Sequence, residues 1–148
     1  MWIHFNYLLR KNSNVYYQSF DNKVLGKYVI KKNRDNNWEL INEQKTIEGI
    51  LCYKAVMNDV VINPISLKST TFLVTAWYAP TLPFSCGPLN YFGLPGLILE
   101  VQRRGIVYGT TTIELNPKII PNIIRPDLSK IKDEKEIEKF MIDYFKSE

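Results

Sequence analysis

A chain of 148 residues with a formal net charge of +4 is long enough to bury a core without metals or a dense disulfide framework. Its basic residues are scattered among acids and form no stripe, so the composition argues against nucleic acid as a partner. No stretch approaches the roughly 20 apolar residues of a membrane-spanning helix, and nine tyrosines and seven phenylalanines favour strands over helices.

Met1 to Leu9 (MWIHFNYLL) is apolar, yet it lacks a basic segment ahead of it and a small-residue cleavage site behind it, so it does not read as a signal peptide. The chain is therefore expected to be cytosolic, or a mature or shortened form of a longer precursor. Asn14 to Phe20 and Val24 to Lys32 read as two strands joined in a hairpin by a tight turn at Asp21-Asn22. Lys31 to Asn37 is polar turn material. Trp38 to Lys45 and Thr46 to Val56 follow as one long strand or two, with a bulge or bend expected at Gly49.

Asn58-Asp59 and Asn63-Pro64 are expected to bracket a loop that runs to Lys68. Thr70 to Tyr78 (TTFLVTAWY) has the strongest strand pattern, with Phe72, Val74, Ala76 and Tyr78 on one face and Leu73 and Trp77 on the other. Apolar residues on both faces predict a central strand. A proline- and glycine-rich segment from Pro80 to Gly96 then leads into a strand at Leu97 to Gln102. Arg103-Arg104-Gly105 predicts a short hairpin loop with Gly105 in the left-handed position, and Ile106 to Leu115 the returning strand, bulged at Gly109.

Pro117, Pro121 and Pro126 make the next segment extended or irregular, with Ile119, Ile120, Ile123 and Ile124 expected to lie along the body. The final segment is the one convincing helix: Asp133 suits an N-cap with Glu136 three residues on, and Ile137, Phe140, Met141, Tyr144 and Phe145 form an apolar stripe expected to pack on the sheet.

Chemistry is sparse. The single histidine, His4, sits near the N-terminus, so no Ser-His or Cys-His pair is apparent. Gly93 to Gly96 precedes a strand and not a helix, which excludes a phosphate-binding loop. The expected reading is non-enzymatic, with no cofactor and no metal. Cys52 and Cys86 permit one disulfide or two free thiols, and composition leaves those alternatives level. A soft metal site of Cys52, Cys86 and Met57 is a further alternative.

The segment ending in Gly93-Leu94-Pro95-Gly96-Leu97-Ile98 is too long to be a casual connection. Leu94 to Leu97 suits a type II turn, with Pro95 and Gly96 at its centre. The segment reads either as a rigid corner whose side chains plug one end of the sheet or as a preformed binding surface. In the second case the candidate residues are Leu82, Phe84, Leu89, Tyr91 and Phe92, with Trp77 on the neighbouring strand.

A further set of residues runs in order along the middle of the chain: Trp38, Lys45, Ile47, Gly49, Cys52-x-Lys54-Ala55, Ala76-Trp77-Tyr78, Pro83, Gly87-Pro88, the complete Gly93 to Ile98 motif and Leu99-Glu100. On these residues the chain resembles the GLPGLI family of Bacteroidetes envelope proteins, over residues 38–100. The resemblance implies an exported, periplasmic protein without established enzymatic activity, and it raises the expectation of a Cys52–Cys86 disulfide. The connection from Ala55 to Ala76 is longer than is usual for that family.

The expected fold is α+β, a single domain over residues 1–148 that is shortened at its N-terminus. It is dominated by one curved, mainly antiparallel sheet of about six to eight strands, with the C-terminal helix packed on it. The expected function is binding of an envelope partner or a ligand through residues 80–96. Carriage of an apolar ligand or lipid within the curved sheet, and metal or redox handling through the cysteines, are the alternatives.

Overall fold

The computed structural model describes residues 7–9, 15–33, 36–63, 66–119, 122 and 125–147. His4, Ile120, Ile123, Ile124 and the Phe145 side chain lie outside the described residues. The fold is α+β, mainly antiparallel, with one C-terminal helix. Its strands form two sheets and not the single one expected. The physical reason lies in the sequence after the strand that ends at Asn33: Arg34-Asp35-Asn36-Asn37 supplies no β-branched or apolar residue to carry the pairing on. Two compact units result: Met1–Asp35 with Ile62–Lys68 and Ile123–Glu148, and Asn36–Val61 with Ser69–Asn122.

The first unit holds β1 (Tyr7–Leu9), β2 (Val15–Asn22) and β3 (Gly26–Asn33) in antiparallel order. The β2–β3 hairpin forms as expected, but its turn falls at Lys23-Val24-Leu25. Asn22 makes the turn, its Oδ1 accepting from Val24 N at 2.7 Å and Leu25 N at 3.3 Å, an Asx turn that relieves the backbone of strand pairing. Phe20 stacks on Tyr28 across the hairpin.

The second unit is a five-stranded sheet in chain order: β4 (Glu39–Ile47), β5 (Ile50–Ile62), β6 (Ser69–Ala79), β7 (Leu97–Arg103) and β8 (Ile106–Gly109). Glu48 and Gly49, with φ of 48° and 76°, form a two-residue turn between paired Ile47 and Ile50. Arg104 and Gly105, at 53° and 76°, do the same between Arg103 and Ile106. Two central residues at positive φ are the type I′ geometry that matches strand twist.

β5 does not stop at Asn58-Asp59; it runs on to Ile62, because Asp59 finds partners inside the sheet, described below. β8 ends at Gly109 without a bulge there, after which Thr110 N–H and Oγ1–H both donate to Leu99 O. The irregularities fall between Ile41 and Gln44 on β4 and at Leu99 on β7, where Trp77 pairs with Glu100 but Tyr78 pairs with Ile98. The extra residue sets Leu99 and Glu100 toward the same face. Ile119 is exposed and does not lie along the body.

Both faces of this sheet carry a core, as the alternation in β6 predicts. Ala55, Met57, Val74, Ala76, Tyr78 and Val101 fill one, and Cys52, Trp77, Ala79 and Leu99 fill the other.

The first unit is completed by β9 (Ile131–Lys132), which runs parallel to β3, and α1 (Glu134–Ser147). Asp133 caps α1, its Oδ1 accepting from Lys135 N at 2.9 Å and Glu136 N at 3.3 Å. Lys32 on β3 pairs with Glu134 at 2.7 Å. Phe140 and Tyr144 stack along the helix, although Phe140 stays largely exposed.

Candidate functional site

The segment from Pro80 to Gly96 is built on short backbone loops. Phe84 N–H donates to Leu82 O at 2.7 Å, Cys86 N–H to Phe84 O at 2.9 Å, and Gly96 N–H to Leu94 O at 2.8 Å. Each bond closes a turn of three residues, centred on Pro83, Ser85 and Pro95. A proline's fixed φ suits the centre of an inverse γ-turn. The motif is therefore not the expected type II turn. Gly96 takes φ 157° and its N–H is committed to Leu94, while Leu97 N–H bonds Leu82 O at 2.9 Å.

Further bonds brace the segment. Ile98 N–H reaches Cys86 O at 2.9 Å, and Gly93 N–H reaches Ser85 Oγ at 2.9 Å. Phe92 O accepts from both Asn36 Nδ2 at 2.7 Å and Trp38 Nε1 at 2.9 Å. Trp38 also meets the edge of the Tyr91 ring at 5.9 Å between centroids. Gly87 has no room for a side chain: a Cβ there would collide with Ile98 Cβ.

This bracing decides which candidate residues are available. Leu82, Tyr91, Phe92 and Trp77 are buried, together with Leu94 and Ile98 of the motif. They are core, which corrects the expectation that they line a binding surface: pinned at both ends to β6 and β7, the segment folds its apolar side chains inward. Leu89 is half-buried against the same core. Phe84 alone of the candidates is well exposed, at 59 %, flanked by exposed Pro83 and Ser85. Gly93 and Pro95 are exposed; Gly96 is buried and Leu97 half-buried.

The cysteines are free, not bonded. Cys52 faces the Trp77 core from β5, whereas Cys86 is tied by its carbonyl to β7, with β6 between those strands. Burial pushes both thiols above the ordinary value, outweighing for Cys52 the pull of Ile47 and Lys45. Neither is an activated nucleophile. Met57 and Cys52 lie on opposite faces of β5, so the soft metal site they would share is not assembled. Among the described residues no group of three or more His, Cys, Asp or Glu side chains could hold a metal ion. No helix among them is long and apolar enough to cross a membrane.

Two polar clusters flank the segment. Asp59 Oδ2 accepts from Tyr91 Oη–H and from Arg103 NH2, both at 2.8 Å. Arg103 also extends toward the Phe72 ring, which Arg104 covers at 3.9 Å. On the other face, Lys45 Nζ bonds Glu100 Oε1 at 2.7 Å and lies 4.5 Å from the Trp77 ring centre. Three inter-strand spacings of about 4.8 Å separate β4 from β7 in a flat sheet, about the full reach of both side chains laid flat. The sheet therefore curves toward this face. Gln102 Nε2 donates to the same Glu100 oxygen at 2.8 Å.

Sequence reasoning did not anticipate the Asp59 cluster. A signal existed: Asp59 keeps the two-residue phase of Ala55 and Met57, and Arg103 keeps that of Val101. A charge on the apolar phase of a strand implies a partner across the sheet.

Residues 65–100 match a family described as Protein of unknown function (Porph_ging). The matched stretch takes in β6, the whole braced segment and the first half of β7. No curated protein and no solved structure matches the chain.

Proposed function

We propose that this chain is a non-enzymatic binding protein of the cell envelope, engaging a partner protein through the outer rim of residues 80–96. Phe84 is its anchor. The observation that carries this reading is a large aromatic side chain, 59 % exposed, on a backbone held by two successive γ-turn bonds and by the ties of Leu82 and Cys86 to β7. Such a surface loses little conformational freedom on binding, because its order is established on folding. A rigid aromatic knob flanked by proline is the kind of residue that fills a partner's pocket and dominates an interface.

Export rests on the resemblance to the GLPGLI family. The five-stranded unit packs a core of its own side chains on each face of its sheet, Val74, Ala76 and Val101 on one and Cys52, Ala79 and Leu99 on the other, which favours a surface over an enclosed apolar ligand.

The test compares capture of envelope proteins by the native chain, by Phe84→Ala, and by Ile119→Ala, which removes a still more exposed apolar side chain elsewhere in the unit. A partner held by the native chain and by Ile119→Ala, and lost by Phe84→Ala, is expected. An identical set of captured proteins for all three would sink the reading.

A further inference from the structure

The two edges of the five-stranded sheet differ in how they meet solvent. The β4 edge carries Glu39, Glu43 and Lys45 and is interrupted between Ile41 and Gln44. Charge and irregularity are the usual means by which an edge refuses a further strand. The β8 edge, Ile106-Val107-Tyr108-Gly109, has no charge, no proline and no bulge, and Ile106 and Val107 are more than half exposed.

The hydrogen-bonding direction of β8 follows from its turn. Arg104-Gly105 is a two-residue loop, so Arg103 and Ile106 are the closing pair that exchanges backbone bonds. Alternation then gives Val101 with Tyr108, and the bond from Thr110 N–H to Leu99 O at 2.9 Å keeps the same rhythm. The peptide groups of Val107 and Gly109 consequently aim away from β7. β8 is the last strand in the sheet order, with none beyond it among the described residues.

We propose that this edge is a homodimer interface, in which β8 of one copy pairs antiparallel with β8 of a second and joins two five-stranded sheets into one. The outward groups determine the register. Val107 of each copy pairs with Gly109 of the other, each pair exchanging both backbone bonds, and Tyr108 meets Tyr108 on the twofold axis. That central pair is of the non-hydrogen-bonded kind, in which side chains approach most closely, and cross-strand aromatic pairs there are stabilising. Antiparallel pairing also sends the Arg103-Arg104 turns to opposite ends of the paired strands, so these like charges do not face one another. The same operation on β4 would stack a charged strand on its copy. Self-complementarity of this kind is what a twofold interface requires, and it favours a second copy over an unrelated strand. This interface is independent of Phe84 and of the envelope partner proposed above.

Sedimentation velocity over a roughly hundredfold concentration range tests it, since dimer population follows mass action. The native chain is expected to move from 17.3 kDa toward twice that mass. Val107→Pro deletes an N–H that the folded monomer does not use, and proline is tolerated on edge strands, so this variant should keep its circular dichroism and stay monomeric throughout. Tyr108→Lys, which leaves the backbone intact and sets two ammonium groups on the axis, should also be monomeric. Tyr108→Phe should dimerise like the native chain. On a Cys52→Ala/Cys86→Ala background, Tyr108→Cys should cross-link between copies on mild oxidation and Val107→Cys should not. A native chain that stays monomeric at every concentration, whether or not it captures strands from other proteins, overturns the proposal. So does dimerisation of Tyr108→Lys at native strength.

Discussion

Gly96 sits against the end of β6 so closely that a Cβ on it would lie 2.6 Å from the carbonyl carbon of Ala79 and 2.8 Å from Pro80 N. The last glycine of the motif is thus required by a backbone-to-backbone approach at the start of the braced segment. Its φ of 157° adds a second reason, since L side chains rarely adopt it. Gly96→Ala is expected to cost about 3 kcal/mol or more, because backbone on both sides has to move. Gly93, at φ 93° with nothing nearer than 3.7 Å, should cost only about 1–2 kcal/mol when changed to alanine. Urea unfolding of the two variants checks the ranking, and equal losses would refute the close-approach explanation.

Asp59 holds Tyr91 and Arg103 together, and its side chain is only 14 % exposed. Asp59→Ala should cost about 3 kcal/mol, since it leaves a guanidinium and a phenolic hydroxyl partly buried without their carboxylate. Tyr91→Phe removes one of those bonds and should cost about 1 kcal/mol. Chemical denaturation would show both, and an Asp59→Ala variant as stable as the native chain would mean that the cluster is incidental.

Lys45 and Glu100 join β4 to β7 across the curved face. Because both are partly exposed, a double-mutant cycle with Lys45→Met and Glu100→Gln should give a coupling of about 0.5–1 kcal/mol, falling as salt is raised. Coupling indistinguishable from zero at low salt would remove the pair from any account of the sheet's curvature.

Both thiols are pushed up by burial. An unfolded thiol then ionises at lower pH than the folded one, so the thiols' contribution to stability is fully present below about pH 8.5 and is lost as pH climbs toward their raised values. Above about pH 8.5 the native chain should lose stability more steeply than Cys52→Ala/Cys86→Ala does. Denaturant midpoints at several pH values measure this; parallel slopes would contradict it. Thiol labelling of the folded chain at neutral pH should modify half-buried Cys86 before Cys52, and no disulfide should be found by mass.

Much of the local structure was legible along the chain. Alternation in Thr70 to Tyr78 placed Val74, Ala76 and Tyr78 on one face and Trp77 on the other, because the period of a strand is independent of what it meets. Arg104-Gly105 announced its turn and Asp133 its helix, since both depend on chemistry within four residues. Along the chain Gly49 reads as a bulge or bend, and only the pairing of Ile47 with Ile50 makes Glu48-Gly49 a hairpin turn.

The pieces that failed are those in which a distant group makes the decision. Asn58-Asp59 has the composition of a turn, but Tyr91 and Arg103 draw Asp59 into the sheet. Leu94 to Leu97 has the composition of a type II turn, but Leu82 O takes the N–H of Leu97 and Gly96 turns back to Leu94. The candidate binding residues illustrate the same limit. Leu82, Phe84, Tyr91 and Phe92 are alike in hydrophobicity and lie within eleven positions of one another, so nothing in their order ranks them by exposure. Bonds from Asn36 and Trp38 to Phe92 O, and from Leu97 and Ile98 back to Leu82 and Cys86, turn three of them inward and leave Phe84 outside. By itself the sequence determined the alternation of β6, the Arg104-Gly105 turn and the helix cap, because those depend on neighbours along the chain. Which strands would share a sheet, which aromatics would be core, and that the two cysteines would stay apart were decided by tertiary contacts between residues as much as 56 positions apart.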